Sequence, residues 1–136
     1  MNKIGDRLLF GGLREAADTE SYHLHRIDVV VRLCEAEPVV GYPDNVEVFD
    51  RYFMNGDAMR PCNLSEAVTV VDNRANQGNT VFVHCTNGES RSPAVVAACI
   101  RRNSDEDFNN IVRNIKEEAD QEIDISSNLR LHAAFI

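Results

Sequence analysis

The stretch from Thr80 to Ile100, TVFVHCTNGESRSPAVVAACI, decides which fold this chain is expected to adopt. It opens with the apolar run Thr80–Val83, which predicts a strand buried on both faces of a sheet. It closes with an apolar segment that predicts a helix, with Ser92 as its N-cap and Pro93 in the first helical position. A loop that joins a buried strand to a helix start is typical of a parallel α/β sheet, where ligands bind at the carboxyl ends of the strands.

The remainder of the chain alternates between strand and helix patterns. Three segments bounded by turn residues predict strands: Leu8–Phe10, Asp28–Leu33 and Val46–Phe53. Apolar residues at helical spacing predict helices around Leu64–Ala75, Phe108–Ile115 and Leu129–Ile136. We therefore expect one α/β domain over residues 1–136, with a central, largely parallel sheet of four to five strands flanked by helices.

The predicted helix around Leu64–Ala75 has sequence signals for its start and its end. Asn63 and Glu66 resemble a capping box at its start, and Gly78 follows its last apolar position. Cys62, just upstream, is then expected in a loop.

Composition limits the classes of partner. The chain has 136 residues and a net charge of −8, which suits one soluble domain and disfavours broad binding to nucleic acid or to anionic membranes. No apolar run approaches the roughly 18–20 residues that span a bilayer, and the N-terminus lacks the features of a signal peptide. We expect a cytoplasmic monomer without a nucleic-acid or membrane partner.

The four cysteines form no CxxC pair, so neither a zinc site nor a dithiol redox motif is indicated. Cys34 and Cys99 lie in apolar surroundings that are typical of core positions. The histidines outside the loop have no spacing typical of metal ligands. We expect neither a metal nor a cofactor.

Cys85 differs from the other cysteines in the residues that come after it. Gly88 permits the positive backbone angles that curl a loop, and successive N–H groups in such a curl bind anions beside a helix N-terminus. The same electrostatic field favours the thiolate of Cys85, and the guanidinium of Arg91 is suited to bind two phosphate oxygens. A thiolate beside a bound phosphate monoester predicts attack on phosphorus and a covalent phosphocysteine.

The stretch VFVHCTNGESRSPAVVAACI resembles the signature of cysteine-dependent protein tyrosine phosphatases, in particular the dual-specificity branch. The segments RLLFGGLREA, IDVVVRL and NLSEAVTVVDNRANQGN also resemble parts of that branch, so the resemblance covers most of the chain. It implies a metal-independent phosphatase that acts on phosphotyrosine and phosphoserine or phosphothreonine in proteins through a phosphocysteine.

The resemblance also implies roles for single residues. Cys85 is the expected nucleophile, Arg91 the phosphate-binding arginine, and Ser92 the hydroxyl that helps the thiolate leave. His84 is expected to orient the loop and, from behind it, to tune the reactivity of Cys85. The phosphate is expected to be cradled by the main-chain N–H groups of Thr86, Asn87, Gly88, Glu89 and Ser90.

The family's general acid is an aspartate upstream of the catalytic strand, a position for which MNGDAMRP offers Asp57, 28 positions before Cys85. That separation is a few residues shorter than is usual in the family, and Asp50 is the fallback, although it falls in a predicted strand. Glu89 departs from the family's pattern because it adds a negative charge to the loop. A carboxylate there repels dianionic substrates unless it points into solvent.

Three alternatives remain open for this sequence. The first is a phosphate-binding module without activity. The second is a phosphatase for a small non-protein phosphoester, and the third is a different enzyme with a Cys-x5-Arg loop. A sulfurtransferase of rhodanese type, an arsenate reductase and a low-molecular-weight phosphatase are each disfavoured, since the loop begins at position 85 with the acid candidate upstream. The module without activity is disfavoured because Cys85, Arg91, Ser92 and a candidate acid are all present. The sequence does not separate a protein phosphate from a small phosphorylated metabolite as the substrate.

Overall fold

The structure is a computed structural model that describes residues 1–136, apart from the side chain of Asp57. Five strands in this described chain form one sheet: β1 (Asn2–Ile4), β2 (Leu8–Gly11), β3 (Val29–Arg32), β4 (Glu47–Asp50) and β5 (Val81–His84). The same residues form six α-helices: α1 (Leu13–Ala16), α2 (Thr19–Leu24), α3 (Pro61–Asn76), α4 (Arg91–Arg102), α5 (Phe108–Glu118) and α6 (Ser127–Ala133). A short 3₁₀ helix covers Gly56–Ala58.

The strand order in the sheet is β1-β2-β5-β3-β4. All neighbours are parallel except β1 and β2, so the expected largely parallel sheet is confirmed. β5 occupies the centre, and each of its four residues is buried, as its continuous apolar sequence predicts. In the register of the sheet, His84 lies between Gly11 of β2 and Arg32 of β3. The loop that follows β5 therefore begins at the middle of the sheet.

The two faces of the sheet bury different helices. Residues such as Phe10, Val31 and Val83 contribute to a large core that includes the apolar faces of α3, α4, α5 and α6. Phe82 and Val30 point to the other face, where they pack with Tyr22 of α2 and Ala16 of α1. Alternate residues of one strand thus serve two cores, as the period of a strand requires. Burying a side chain such as Phe82 stabilises the fold by about 1.5–3 kcal/mol.

Helix starts differ from the sequence expectations in two places. α4 begins at Arg91 with Ser90 as N-cap, so the prediction that Ser92 is the N-cap is wrong. Pro93 still lies in the first turn, where a backbone N–H has no helical partner to lose. α3 begins at Pro61, because proline is preorganised for the first helical position. Asn63 therefore lies inside the helix and forms no capping box.

Other boundaries follow the predicted pattern with corrections. Cys62 lies in the first turn of α3 and is exposed, so the predicted loop there is wrong. Gly78, with φ of +92°, follows the end of α3 as expected. The sequence patterns missed β1, α1 and α2, which are short. No helix in the described part of the chain is both long and apolar enough to cross a membrane.

Candidate active site

The loop from Cys85 to Ser90 joins β5 to α4 and packs against the chain that follows β2. Gly88 has φ of +75°, in the left-handed region that favours glycine. A Cβ atom at Gly88 would lie 2.8 Å from Gly11 C and from Gly12 N. Both the backbone angle and the close approach therefore require glycine at this position.

Gly12 makes the matching contact from the other side. A Cβ atom there would lie 2.6 Å from the carbonyl oxygen of Thr86 and 2.7 Å from the carbonyl carbon of Asn87. The N–H of Leu13 donates to the same Thr86 oxygen at 2.9 Å. The start of α1 thus supports the outer side of the loop through backbone contacts.

Cys85 and Ser92 lie together beneath the loop. Cys85 is 3% exposed and Ser92 is fully buried. The Cys85 thiol donates to Ser92 Oγ at 3.4 Å, and the Ser92 hydroxyl donates to the carbonyl oxygen of Gly11 at 3.1 Å. When Cys85 ionises, its sulfur becomes an acceptor, and the Ser92 hydroxyl is the adjacent donor that can turn toward it.

Arg91 is fixed by three hydrogen bonds to protein groups around the loop. Its Nη1 donates to the carbonyl oxygens of Phe53 at 3.0 Å and Leu33 at 3.4 Å. Its Nη2 donates to Thr86 Oγ1 at 3.1 Å. These contacts hold the guanidinium over one side of the loop, so little of its rotamer entropy remains to be lost when an anion binds.

The main-chain N–H groups of the loop are available for an anion. The N–H of Cys85 donates to Gly11 O at 3.2 Å, but no hydrogen bond links the N–H groups of residues 86–90 to another described group of the protein. The N-terminus of the 12-residue helix α4 follows directly and adds its positive dipole end. Uncommitted amides in a curled loop at a helix N-terminus form an anion-binding nest.

A cavity of about 270 Å³ opens above Cys85. Its wall includes most of the residues predicted for the site: Cys85, Thr86, Asn87, Glu89, Ser90 and Arg91. Three residues that the sequence did not single out complete it, namely Asn55, Asp124 and Ser126. Asp124 is tied to the loop because its N–H donates to the carbonyl oxygen of Glu89 at 2.8 Å.

His84 lies behind the loop and is fully buried. Its Nδ1 is 3.2 Å from the carbonyl oxygen of Cys85, and its Nε2 is 2.6 Å from the hydroxyl of Tyr42. Because a carbonyl oxygen only accepts, Nδ1 carries the proton and Nε2 accepts from Tyr42. Burial lowers the pKa of His84 to about 4, so the ring is neutral near pH 7. Any influence of His84 on Cys85 therefore runs through hydrogen bonding rather than positive charge.

Tyr42 is a residue that the sequence patterns missed. Its hydroxyl reaches His84 across 42 positions of the chain, and burial raises its pKa. Cys34 also contacts the ring, with Sγ 4.0 Å from Nδ1, while its thiol donates to Ala36 O. No local motif marks either contact, because each depends on how the segment after β3 packs on the sheet.

The two candidates for the general acid have different outcomes. The side chain of Asp57 lies outside the described part of the structure, and its role stays a prediction. Asp50 lies in β4, where its carboxylate accepts from Arg32 Nε at 2.7 Å. It is not among the described residues that line the cavity, so the fallback is disfavoured. Within the described residues, no group of three or more His, Cys, Asp or Glu side chains is arranged to bind a metal ion.

Residues 43–133 match the family model of the dual specificity phosphatase catalytic domain. No curated protein matches the chain in sequence.

Several solved structures share the fold. Human DUSP28 has 17% identity and a TM-score of 0.85 over 98% of this chain and 92% of its own. DUSP15 has 16% identity and a TM-score of 0.86 over 98% of this chain and 85% of its own. Human tyrosine phosphatase-like serine/threonine/tyrosine-interacting protein has 17% identity and a TM-score of 0.84 over 98% and 92%.

At such identities the structural likeness establishes the fold alone. The family model, by contrast, covers more than half of the chain, including the loop, the helix that follows it and the segment with Asp57. Family and fold together support a phosphatase function. The chain belongs to the dual specificity phosphatase catalytic-domain family.

Proposed function

We propose that residues 1–136 form a metal-independent protein phosphatase of dual specificity, in which Cys85 is the nucleophile and a phosphocysteine is the intermediate. The observation that carries the proposal is the convergence of three groups on one cavity: the Cys85 thiol, the guanidinium of Arg91 and the uncommitted N–H groups of residues 86–90. A phosphate monoester satisfies all of them, because its oxygens accept from the donors while its phosphorus faces the sulfur.

The reaction is proposed to run in two steps. In the first, the Cys85 thiolate forms the S–P bond while the ester P–O bond breaks, and the leaving oxygen takes a proton from Asp57. In the second, water attacks phosphorus, its proton passes to the Asp57 carboxylate, and the S–P bond breaks. The Ser92 hydroxyl is proposed to donate to the departing thiolate, and its distance of 3.4 Å from Cys85 Sγ supports that role.

The charges around the cavity support a substrate with a single phosphate. Arg91 is the one cation among the described residues of its wall, whereas Glu89 and Asp124 are both exposed carboxylates there. A second phosphate on the substrate would meet these carboxylates. Phosphotyrosine, phosphoserine and phosphothreonine in proteins fit this arrangement, and a small monophosphate ester is the remaining alternative.

A phosphate-binding module without activity is the second candidate. It is favoured by one observation: the fold is shared with a protein named as phosphatase-like and as interacting with serine, threonine and tyrosine. The presence in this chain of Cys85, Arg91 and Ser92 together supports catalysis instead, since each has a place in the proposed reaction.

The test is steady-state hydrolysis of p-nitrophenyl phosphate by the reduced protein and by Cys85→Ser, with EDTA present and with and without vanadate. We expect turnover that survives EDTA, falls with vanadate and is lost in the variant. A wild-type protein that binds vanadate but has no turnover would support the binding module. Turnover by Cys85→Ser near the wild-type rate would overturn the nucleophile assignment.

A further inference from the structure

Three separate segments of the chain are joined beside the cavity by side-chain hydrogen bonds. Ser90 Oγ, in the loop, donates to Asn55 Oδ1 at 3.1 Å. The N–H of Gly56 donates to the same Asn55 oxygen at 3.0 Å. The N–H of Ser126, at the start of α6, donates to Ser90 Oγ at 3.2 Å. The loop, the turn at residues 55–56 and the start of α6 thus meet at two side chains.

A further bond joins α6 to the same turn. Asn128 Nδ2 donates to the carbonyl oxygen of Gly56 at 2.9 Å. The backbone of Gly56 is therefore held on both sides, with its N–H bonded to Asn55 and its carbonyl oxygen bonded to Asn128. Gly56 itself has φ of +68°, a conformation that a side chain at this position would strain.

The residue that follows this turn is Asp57. We propose that Asn55 is a positioning residue for the general acid, because its side-chain oxygen ties the turn before Asp57 to the phosphate loop through Ser90. The inference rests on the proposed function, in which Asp57 protonates the leaving oxygen. In this proposal Asn55 acts by fixing the backbone before Asp57, and it takes no part in the transfer of the phosphoryl group or the proton.

The hydrogen bonds of Asn55 explain why a side chain with an acceptor oxygen stands at this position. One oxygen accepts two hydrogen bonds, which an aspartate oxygen would also do and an alanine would not. The side chain is exposed at the edge of the cavity, so its bonds contribute little to the core. Loss of Asn55 is therefore expected to change the geometry of the acid more than the stability of the fold.

The test compares kcat/KM on phenyl phosphate, whose leaving group needs a proton, with p-nitrophenyl phosphate, whose leaving group needs little help. Asn55→Ala should lose about tenfold more on phenyl phosphate than on p-nitrophenyl phosphate, a part of the roughly 10²–10⁴-fold range of general acid catalysis. Asn55→Asp should restore most of that loss, since both acceptor bonds are kept. Asn76→Ala is the matched control, because it removes one exposed amide bond, to Asp72, at the far end of α3.

A double-mutant cycle with Asp57→Ala separates positioning from a structural effect. If Asn55 acts through Asp57, Asn55→Ala should cause no further loss on phenyl phosphate in the Asp57→Ala background. Equal losses on both substrates, or losses that add in the double variant, would overturn the proposal. If Asn55→Ala does not fold, Asn128→Ala is expected to give the same substrate-dependent loss in smaller measure, and equal losses there would overturn it instead.

The outcome also distinguishes this proposal from the proposed function. A wild-type protein without turnover would contradict the proposed function before any variant is compared. An Asp57→Ala variant that lacks substrate dependence would contradict the acid assignment and the role of Asn55 together. If Asp57→Ala shows the expected substrate-dependent loss, but the loss caused by Asn55→Ala adds to it in the double variant, only the role of Asn55 is contradicted.

Discussion

The cysteine side and the acid side of the site are held by different kinds of interaction. The cysteine side, Cys85 to Ser92, lies between the central strand and a buried helix, and Ser92 is fully buried. The proposed acid side, residues 54–58, is mostly exposed in its described side chains, with Met54 52% exposed. Asn55 accepts a hydrogen bond from Ser90, and Asn128 donates one to Gly56, and these bonds join this side to its surroundings. Damage to the first side should therefore reduce stability as well as rate, whereas damage to the second should reduce rate alone.

Among variants that keep Cys85, the largest expected effect is on the acid side. Asp57→Asn should lower kcat/KM for phenyl phosphate by about 10²–10⁴-fold and for p-nitrophenyl phosphate by much less, with the free energy of unfolding nearly unchanged. Asp124→Asn is the control, since it removes a carboxylate from the wall of the same cavity. A substrate-dependent loss in Asp124→Asn, with none in Asp57→Asn, would assign the acid to Asp124.

Arg91→Lys tests the cysteine side at its charged group. Lysine keeps the charge but lacks the planar guanidinium group with its several N–H donors. It therefore cannot donate to Phe53 O and Thr86 Oγ1 while also binding two phosphate oxygens. We expect kcat/KM to fall by about 10²–10³-fold on both substrates alike. A variant within about threefold of the wild type would show that bidentate binding by Arg91 is not needed.

The sequence allowed the cysteine side to be predicted because its signals are local. A buried strand, a glycine and a helix start follow one another within Thr80–Ile100, so β5, the loop and α4 follow from adjacent residues. Even there the N-cap is Ser90 rather than the predicted Ser92. The Ser90 side chain is bonded to Asn55 rather than capping its own helix, which no local pattern reveals.

The remaining partners of the site come from distant parts of the chain. Tyr42, Asn55 and Ser126 reach His84 or Ser90 only after the sheet and α6 are assembled. β4 is shorter than the predicted strand Val46–Phe53, because it is an edge strand whose ladder matches the four residues of β3. Beyond that ladder the pairing continues through single backbone hydrogen bonds, such as the one from Phe53 N–H to Leu33 O. Short elements such as β1 have too few residues to show a period.

Gly12→Ala tests the support of the loop from outside. Gly12 has φ of −109°, which any residue adopts, so the cost of a methyl group is one of space alone. The added atom would lie 2.6 Å from Thr86 O, and the backbone of the loop would have to move. We expect a loss of about 1–3 kcal/mol in urea unfolding, as for other overpacked sites, and a fall of about tenfold in kcat/KM. Unchanged values of both would contradict the contact.

His84→Gln is expected to have the smallest effect on rate at pH 7 and a distinct effect on stability in acid. The buried ring has a pKa of about 4, below the ordinary value of 6.5, so the unfolded chain binds the proton more readily than the folded protein does. Stability from this group is complete above about pH 6.5 and is lost as the pH falls toward 4, by about 3 kcal/mol. Glutamine does not titrate, so the free energy of unfolding of the variant, measured in urea, should not show this loss as the pH falls. Parallel pH dependence in both proteins would contradict a neutral buried His84.

The most direct test of the central claim is to trap the intermediate. Ser92→Ala should slow release of the thiolate and let the phosphoenzyme accumulate, so a burst of p-nitrophenol should precede steady turnover. Mass spectrometry of the quenched, digested protein should then find one added phosphoryl group on the peptide that contains Cys85. Steady turnover with that peptide unmodified, or with the phosphoryl group on another residue, would contradict the phosphocysteine mechanism.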